Sequence, residues 1–222
     1  MKHSKQSVSE IRRLWEDAES GQDLLRAFPK PLTTRPQFMQ EKVITPQEKG
    51  TAMHMVMQHL DLSIEPSASI VAKEVARLEA QEILTPEEAN SIDLEAITNF
   101  LTTEIAERMR TAHWLKREVP FSLALSPAEI YPDWEGDNDL VFIQGIIDCL
   151  FEDENGLVLV DYKTDRITGR FPTGFAGARP VLLKRYRTQI HLYQKAIETI
   201  LQRKLQASYL YFFDGGHLLK VE

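Results

Sequence analysis

The sequence contains a single cysteine, Cys149, among its 222 residues. One cysteine cannot form an internal disulfide, and it cannot by itself supply a thiolate-ligated zinc site or iron–sulfur cluster, so these classes are excluded. Its position on an apolar stretch predicts a small packed residue. The sequence also has no apolar run near the roughly 20 residues of a membrane-spanning helix, and its polar start lacks the apolar core of a signal peptide. We therefore expect a cytoplasmic protein.

Two common catalytic motifs are absent as well. No glycine-rich loop ends in Gly-Lys-Ser/Thr, which excludes ATP binding through a phosphate loop, and no serine lies in a nucleophile elbow. The net charge of −7 is unevenly spread. Residues 74–107 carry nine acids against one base, whereas residues 162–195 carry eight bases against one acid. A local basic segment is sufficient for phosphate contacts, so the acidic total does not exclude DNA, although charge runs also mark solvated faces.

The first half of the chain is predicted to be helical. A short helix from Val8 and an irregular linker account for residues 1–44. A cap residue, a proline and a glutamate follow at Thr45, Pro46 and Glu48, the signature of a helix start, and that helix runs to about His59. A second such start at residue 85 precedes one long amphipathic helix over 92–109. We expect these helices to form an acidic, outward-facing group.

Strands dominate the second half. Apolar patterns predict strands over 118–125, 143–151 and 157–160, with a tight turn at Asn155 and Gly156 that makes the last two a hairpin. A loop is expected over 166–180, a helix over 181–202 and a closing hairpin over 207–221. This order predicts a second domain, 45–222, of the α/β class with a central mixed β-sheet flanked by helices and a helical N-terminal part.

Two acids and a lysine meet at the predicted strand ends. The hairpin brings Asp148 close to Asp161, and strand alternation points Asp161 and Lys163 to the same face. Carboxylates suit Mg²⁺ or Mn²⁺, and such ions with a lysine can cleave phosphodiesters by activating water and spreading the developing charge. The backbone carbonyl of Tyr162 is a further hard ligand. The alternative is a solvated strand end, with Lys163 paired to Asp161 or Asp165.

Other polar residues have both functional and structural interpretations. His54 lies on a methionine-rich helix, where a histidine is a metal ligand or a hydrogen-bonded core residue. Gln189 and Tyr193 share a helix face, where both can bind phosphate or water. The alternative is that Gln189 is exposed and Tyr193 packs in the core. Glu118 is either a metal or water contact or a strand-edge charge. Gly50, on the same helix face as His54, allows close approach of a backbone or substrate.

Four ordered motifs carry a family resemblance: Gly50-x-x-x-His54, Gly145-x-x-Asp148, Asp161-Tyr-Lys163-Thr-Asp165 and Gln189-x-x-x-Tyr193. Together they resemble the nuclease domain of the RecB/AddA family, a branch of the PD-(D/E)XK superfamily, and most closely its AddA-type members. The resemblance covers roughly residues 44–221. Ile147 stands where the superfamily's name has a proline.

The resemblance implies a restriction-endonuclease-like fold and roles for individual residues. His54, Asp148 and Asp161 become ligands of a divalent ion, Mg²⁺ with Mn²⁺ as a substitute, together with the Tyr162 carbonyl. Lys163 matches the catalytic lysine. Gln189 and Tyr193 match a motif that supports the site and contacts DNA.

The basic segment, with Arg166, Lys184 and Arg187, is expected to guide the DNA strand. The resemblance implies 3′-to-5′ cleavage of single-stranded DNA during double-strand-break repair and recombination. It also implies a helicase domain in the same full-length chain and an AddB-type partner protein. Two other interpretations are a DNA-binding or scaffolding module that is inactive without its helicase, and a stand-alone phage or repair nuclease.

Overall fold

A mixed β-sheet forms the centre of the computed structural model, which describes residues 5–11, 44–130 and 140–221. Its six strands are β1 (Lys5–Ser7), β2 (Trp114–Leu125), β3 (Val141–Asp153), β4 (Gly156–Lys163), β5 (Leu205–Phe212) and β6 (His217–Val221). The helices in the described ranges are α1 (Pro46–His59), α2 (Ala68–Ala80), α3 (Pro86–Ser91), α4 (Leu94–Leu101), α5 (Glu104–Arg110), α6 (Pro127–Ile130) and α7 (Phe175–Leu201). The predicted fold class is confirmed.

Strand β3 organises the sheet because three other strands pair with it. Strand β2 runs antiparallel along one edge, from the pair Trp114–Glu152 to the pair Leu125–Val141. On the other edge β4 pairs antiparallel with the end of β3, and β1 pairs parallel with its beginning. Strands β4 and β5 are parallel and are connected through α7, and β5 and β6 form the closing hairpin. The short strand β1 was not predicted.

The β3–β4 hairpin confirms the predicted turn, with a different placement of its residues. Asp153 pairs with Gly156, so the two turn residues are Glu154 and Asn155. The Asp153 carboxylate accepts the Asn155 backbone N–H at 2.9 Å, and the positive φ of 114° belongs to Gly156. This tight turn fixes the register that brings Asp148 opposite the Asp161 end of β4.

Helices cover both faces of the sheet. Helices α1 to α5 pack on one face against Tyr162, Tyr211 and Phe213, while α7 packs on the other against Leu159 and Phe212. Helix α7 begins at Phe175, six residues before the predicted start, and contains Pro180. The expected loop is correspondingly shorter. None of the described helices combines the length and apolarity needed to cross a membrane.

The long helix predicted over 92–109 is wrong, since three short helices occupy residues 86–110. Asp93 and Thr103 interrupt it because their side chains accept the N–H groups of Ala96 and Ala106 as N-caps. Aspartate and threonine side chains compete with the helix carbonyls for the backbone N–H donors, and so they favour helix starts. The apolar sides of the three helices still face the core, while many of the acids are exposed as expected. Helix α2 was not predicted.

The beginning of the chain contributes to the sheet as well as to a helix. Residues 8–11 are helical, in agreement with the start predicted at Val8, and Val8 and Ile11 are buried. The rest of the predicted short helix and its linker lies outside the described residues.

Gly145 is predicted to be required for packing where β2, β3 and residue 8 meet. A Cβ atom at position 145 would lie 2.7 Å from Cε1 of Phe121 and 3.1 Å from Cγ2 of Val8. We expect Gly145→Ala to lower the free energy of unfolding by about 1–3 kcal/mol through overpacking, as measured by chemical denaturation. Shortening the obstructing ring should relieve the clash. The double variant with Phe121→Leu should thus lose less stability than the two single losses added together, and full additivity would contradict this account.

Candidate functional site

The end of β4 places two charged residues on the face covered by α7. Asp161 and Lys163 are buried, and their side chains form an ion pair on this face, while Tyr162 points to the opposite face. This confirms the predicted alternation. The Gln189 side chain on α7 accepts a hydrogen bond from Lys163 Nζ at 3.2 Å and donates one to Asp161 Oδ1 at 3.4 Å. A single amide therefore connects the acid and the lysine.

The second acid lies where β2 and β3 change faces. Before this point Arg117 reaches the α1 side of the sheet, and after it Val119 packs on the α7 side. Glu118, between them, has a positive φ of 50° and stands opposite Asp148 in the strand register. A non-glycine residue in this conformation is strained and is common at functional sites. The inversion places the Glu118 and Asp148 carboxylates in one site.

Helix α1 carries His54 to the same place. The predicted capping box is present, since Thr45 Oγ1 accepts the Glu48 N–H and Glu48 accepts the Thr45 N–H. At the other end Arg117 donates hydrogen bonds to the carbonyls of Gln58 and Leu60, at 3.0 and 2.6 Å, which anchors the helix to β2. The helix is therefore fixed at both ends relative to the strands.

His54 Nδ1 lies 3.4 Å from Asp148 Oδ2, so the histidine contacts the acid directly, and its role as a metal ligand stays a prediction. The His54 ring also meets the edge of Tyr162, with 6.2 Å between centroids. A Cβ at Gly50 would lie 3.0 Å from Thr164 Oγ1. The predicted close approach at Gly50 is thus made by the chain segment that follows Lys163.

Three ligand atoms, one each from His54, Glu118 and Asp148, lie within 4.8 Å of one another, which makes them a candidate metal-binding group. Asp161 lies beside this group and is not one of the three. Its Oδ2 atom is buried and contacts the Lys163 ammonium as an ion pair. A buried carboxylate next to a histidine and two further acids, with one lysine to balance them, fits the oxygen-rich ligand set of a divalent cation.

Burial and neighbouring charges shift the pKa values of Asp161, Glu118 and His54. Burial and the charge of Asp148 together raise the pKa of Asp161 to about 6, against the opposing effect of Lys163. Burial and the charge of Asp148 also raise the pKa of Glu118. Burial alone would lower the pKa of His54, but the hydrogen bond and charge of Asp148 outweigh it, so the pKa lies above 6.5. The site therefore concentrates negative charge that favours a cation.

The backbone supports Asp148 directly. The N–H of Tyr162 donates to Asp148 Oδ2 at 2.7 Å, so the carboxylate connects β3 to β4 beyond the last ladder pair. The Tyr162 carbonyl remains a predicted ligand. On α7, Gln189 Nε2 also donates to Tyr193 Oη at 2.9 Å, and both residues are buried. The alternative of an exposed Gln189 is excluded, while Tyr193 packs against the edge of Phe121.

The predicted basic residues are divided between two regions. Arg166 is exposed and follows the acid-lysine segment directly. Lys184 and Arg187 lie on α7, and at about 100° per residue Arg187 is some 200° around the helix from Gln189. Arg187 is therefore directed away from the acids.

Two other bases of the same segment have acidic partners. Arg185 pairs with Asp165 at 2.8 Å, and Lys195 pairs with Glu129. The Asp165 side chain also accepts the hydroxyl of Tyr186, whose ring lies over Lys163. Sequence reasoning missed Tyr186. Its spacing of three residues before Gln189, on the same helix face, was the available signal.

Known protein families and known proteins match the region of the chain that contains these residues. The family model of the PD-(D/E)XK nuclease superfamily matches residues 24–220. Three similar relatives are the A subunits of the ATP-dependent helicase/nuclease from Bacillus velezensis, Bacillus licheniformis and Bacillus anthracis. The chain is 49% and 47% identical to the first two over 219 residues, and 42% identical to the third over 221 residues. The first two matches cover 97% of this chain and the third covers 99%.

The chain spans 18% of the length of each of these relatives. The matched region includes most of the described chain, from helix α1 through most of β6, and thus every residue of the candidate site. The resemblance inferred from the four motifs is confirmed at the level of the family. The chain belongs to the PD-(D/E)XK nuclease superfamily.

Proposed function

We propose that the chain is a divalent-metal-dependent DNA exonuclease domain that cleaves single-stranded DNA with 3′-to-5′ polarity. The observation that carries this proposal is the group formed by His54, Glu118 and Asp148 beside the Asp161–Lys163 ion pair. A histidine, three acids and a lysine in a largely buried site match the needs of phosphodiester hydrolysis. The family assignment supports the reaction class, and the resemblance supports the strand and polarity.

The proposed ligands are His54, Asp148 and Asp161, with the Tyr162 carbonyl, and we add Glu118 on the basis of its distance from His54 and Asp148. Carboxylate and carbonyl oxygens favour Mg²⁺, with Mn²⁺ as a substitute that accepts the imidazole more readily. When bound, such an ion would lower the pKa of a water molecule and stabilise the charge that develops on phosphorus.

The remaining residues of the site position the reactants. Lys163 directs an N–H toward the attacking water or the phosphate and neutralises part of the developing charge. Gln189 holds the lysine on one side and Asp161 on the other, and Tyr193 holds the amide. Because the tyrosine and the glutamine are both buried, the lysine approaches the substrate from a fixed direction. Arg166, Lys184 and Arg187 guide the DNA strand.

The proposed biological role rests on the relatives and the resemblance. The relatives are named as one component of an ATP-dependent helicase/nuclease, and this chain corresponds to a minor part of each. We therefore propose that it acts with a helicase domain of the same full-length polypeptide and an AddB-type partner protein. In that setting the domain would cut unwound strands during double-strand-break repair and homologous recombination in the cytoplasm.

Replacement of the central acid or lysine tests the proposed chemistry. We expect Asp161→Asn and Lys163→Ala each to lower Mg²⁺-dependent cleavage of labelled single-stranded DNA by at least about a hundredfold, the scale of one lost electrostatic contact in a transition state. Asp161→Asn leaves the buried Lys163 without its ion-pair partner, which destabilises the fold, so circular dichroism must show that the variant is folded at the assay temperature. The matched control is Lys195→Ala, which removes a lysine from the same helix as Gln189 and should retain the rate.

Full activity in either variant would refute the assignment of these residues. Salt-sensitive DNA binding by the wild-type chain without cleavage would favour a scaffolding module that depends on its helicase.

Glu118 is predicted to contribute to metal binding. Glu118→Gln removes its charge while preserving its size, so we expect the Mg²⁺ concentration at half-maximal rate to rise about tenfold, with a parallel loss of Mn²⁺ affinity in calorimetry. The control is Glu198→Gln, in the last turns of α7. Unchanged affinity for both ions in Glu118→Gln would exclude Glu118 from the ligand set.

Arg166 is predicted to contact the DNA backbone close to the site. Arg166→Gln should weaken single-stranded DNA binding and reduce the slope of log affinity against log salt by about 0.7, the value for one phosphate contact. Arg187→Gln makes the same charge change on the outward side of α7, and we expect a smaller effect there. Equal slopes in Arg166→Gln and the wild type would show that Arg166 does not touch phosphate.

A further inference from the structure

The ammonium group of Lys163 is enclosed on three sides by side chains of β4 and α7. Asp161 forms the ion pair, and Gln189 Oε1 accepts a hydrogen bond at 3.2 Å. On the third side the ring of Tyr186 faces the ammonium, with 4.3 Å between Nζ and the ring centroid. This distance is within the range of a cation–π interaction, which strengthens when the pair is shielded from water, as here.

We propose that Tyr186, oriented by Asp165, is a positioning residue that holds the Lys163 ammonium in its catalytic place. The inference rests on the proposed nuclease function and adds a specific support for its lysine. Tyr186 itself is neither a proposed ligand nor a proposed substrate contact, and it acts through the lysine.

Asp165 fixes the orientation of the ring. Tyr186 Oη donates to Asp165 Oδ2 at 2.5 Å, and Arg185 Nη1 donates to Asp165 Oδ1 at 2.8 Å. The ring is buried and tilted against Phe212, with 6.2 Å between centroids. A phenol that donates to a carboxylate also gains electron density, which increases the attraction of its ring for a cation.

The lysine needs a support that is independent of Asp161. A lysine side chain has four flexible methylene groups and holds its charge at a point, so it keeps one direction only if its surroundings impose it. Asp161 Oδ2 is the lysine's ion-pair partner and is also a proposed ligand atom. An oxygen that serves as a ligand is less available to the lysine. Gln189 and Tyr186 then determine where the ammonium points.

The spacing of the residues makes this support part of the fold. Lys163 is the last residue of β4 and Asp165 follows it by two residues, and Tyr186 and Gln189 are one turn apart on α7. Two parallel contacts, Lys163 with Gln189 and Asp165 with Tyr186, therefore join the strand end to the helix. The sequence alone suggested Asp165 only as an alternative partner of Lys163. The structure instead gives it Arg185 and Tyr186.

Steady-state cleavage of labelled single-stranded DNA with Mg²⁺ tests the inference in three variants. Tyr186→Leu removes the ring and should lower kcat about tenfold or more. KM should stay within about twofold of wild type, because the lost cation–π interaction acts on the lysine and not on substrate binding. Tyr186→Phe keeps the ring and loses the hydrogen bond to Asp165, so it should retain kcat within about threefold. Phe175→Leu is the matched control, since its ring contacts are with Phe212 and His217.

Each outcome separates the inference from its alternatives. A kcat of Tyr186→Leu equal to that of Phe175→Leu, in an active wild type that requires Lys163, would overturn the positioning role and leave the proposed function standing. A loss in KM alone would place Tyr186 in contact with DNA and would also overturn it. The same loss in Tyr186→Phe as in Tyr186→Leu would assign the effect to the hydroxyl and overturn the role of the ring. Absence of Mg²⁺-dependent cleavage by the wild type would overturn the proposed function and the inference together.

Discussion

The buried carboxylate of Asp161 is the constraint on which the rest of the site depends. Only 1% of this residue is exposed, and Asp148 and Glu118 add like charges nearby. Burying an uncompensated carboxylate costs several kcal/mol, so the surrounding elements must supply positive charge and hydrogen bonds. Lys163 provides the charge, Gln189 provides an amide donor, and His54 offsets Asp148. The remaining excess of negative charge is what suits the site to a cation.

The fold provides these compensating groups from elements that are held separately. Helix α1 is capped by Thr45 at one end and anchored by Arg117 at the other, so the position of His54 is set by both ends. Helix α7 supplies Gln189 and Tyr186 from its buried side. The β3–β4 hairpin holds Asp148 beside the Tyr162 N–H. Because these supports come from different parts of the chain, one weakened support leaves the others in place.

Local patterns in the sequence predicted the parts of the site that follow from local geometry. The alternation of β4 placed Asp161 and Lys163 together, the capping box located α1, and the turn located the hairpin, because each depends on only a few neighbouring residues. The break at Asp93 was not predicted, because apolar periodicity continues through it while its side chain caps the next helix. Strand β1, with three residues, is too short to show a period.

Features that depend on distant contacts could not be predicted from local sequence patterns. The position of Glu118 in the site follows from a positive φ that reverses the faces of β2. No local sequence pattern predicts that a glutamate adopts the left-handed backbone conformation. Such departures from local preference concentrate where several elements meet, which is where a functional site is expected.

The distribution of charge gives the proposed DNA path a direction. Many acids of α2 to α5 are exposed, and these helices pack on the sheet face opposite α7. A polyanion is repelled from that face and attracted toward the segment that carries Arg166, next to Lys163. The net charge of −7 is thus compatible with the proposed DNA binding, because these exposed acids would keep a DNA strand away from the face that they cover. Charge segregation and the exposed position of Arg166, three residues after Lys163, favour the same direction of approach.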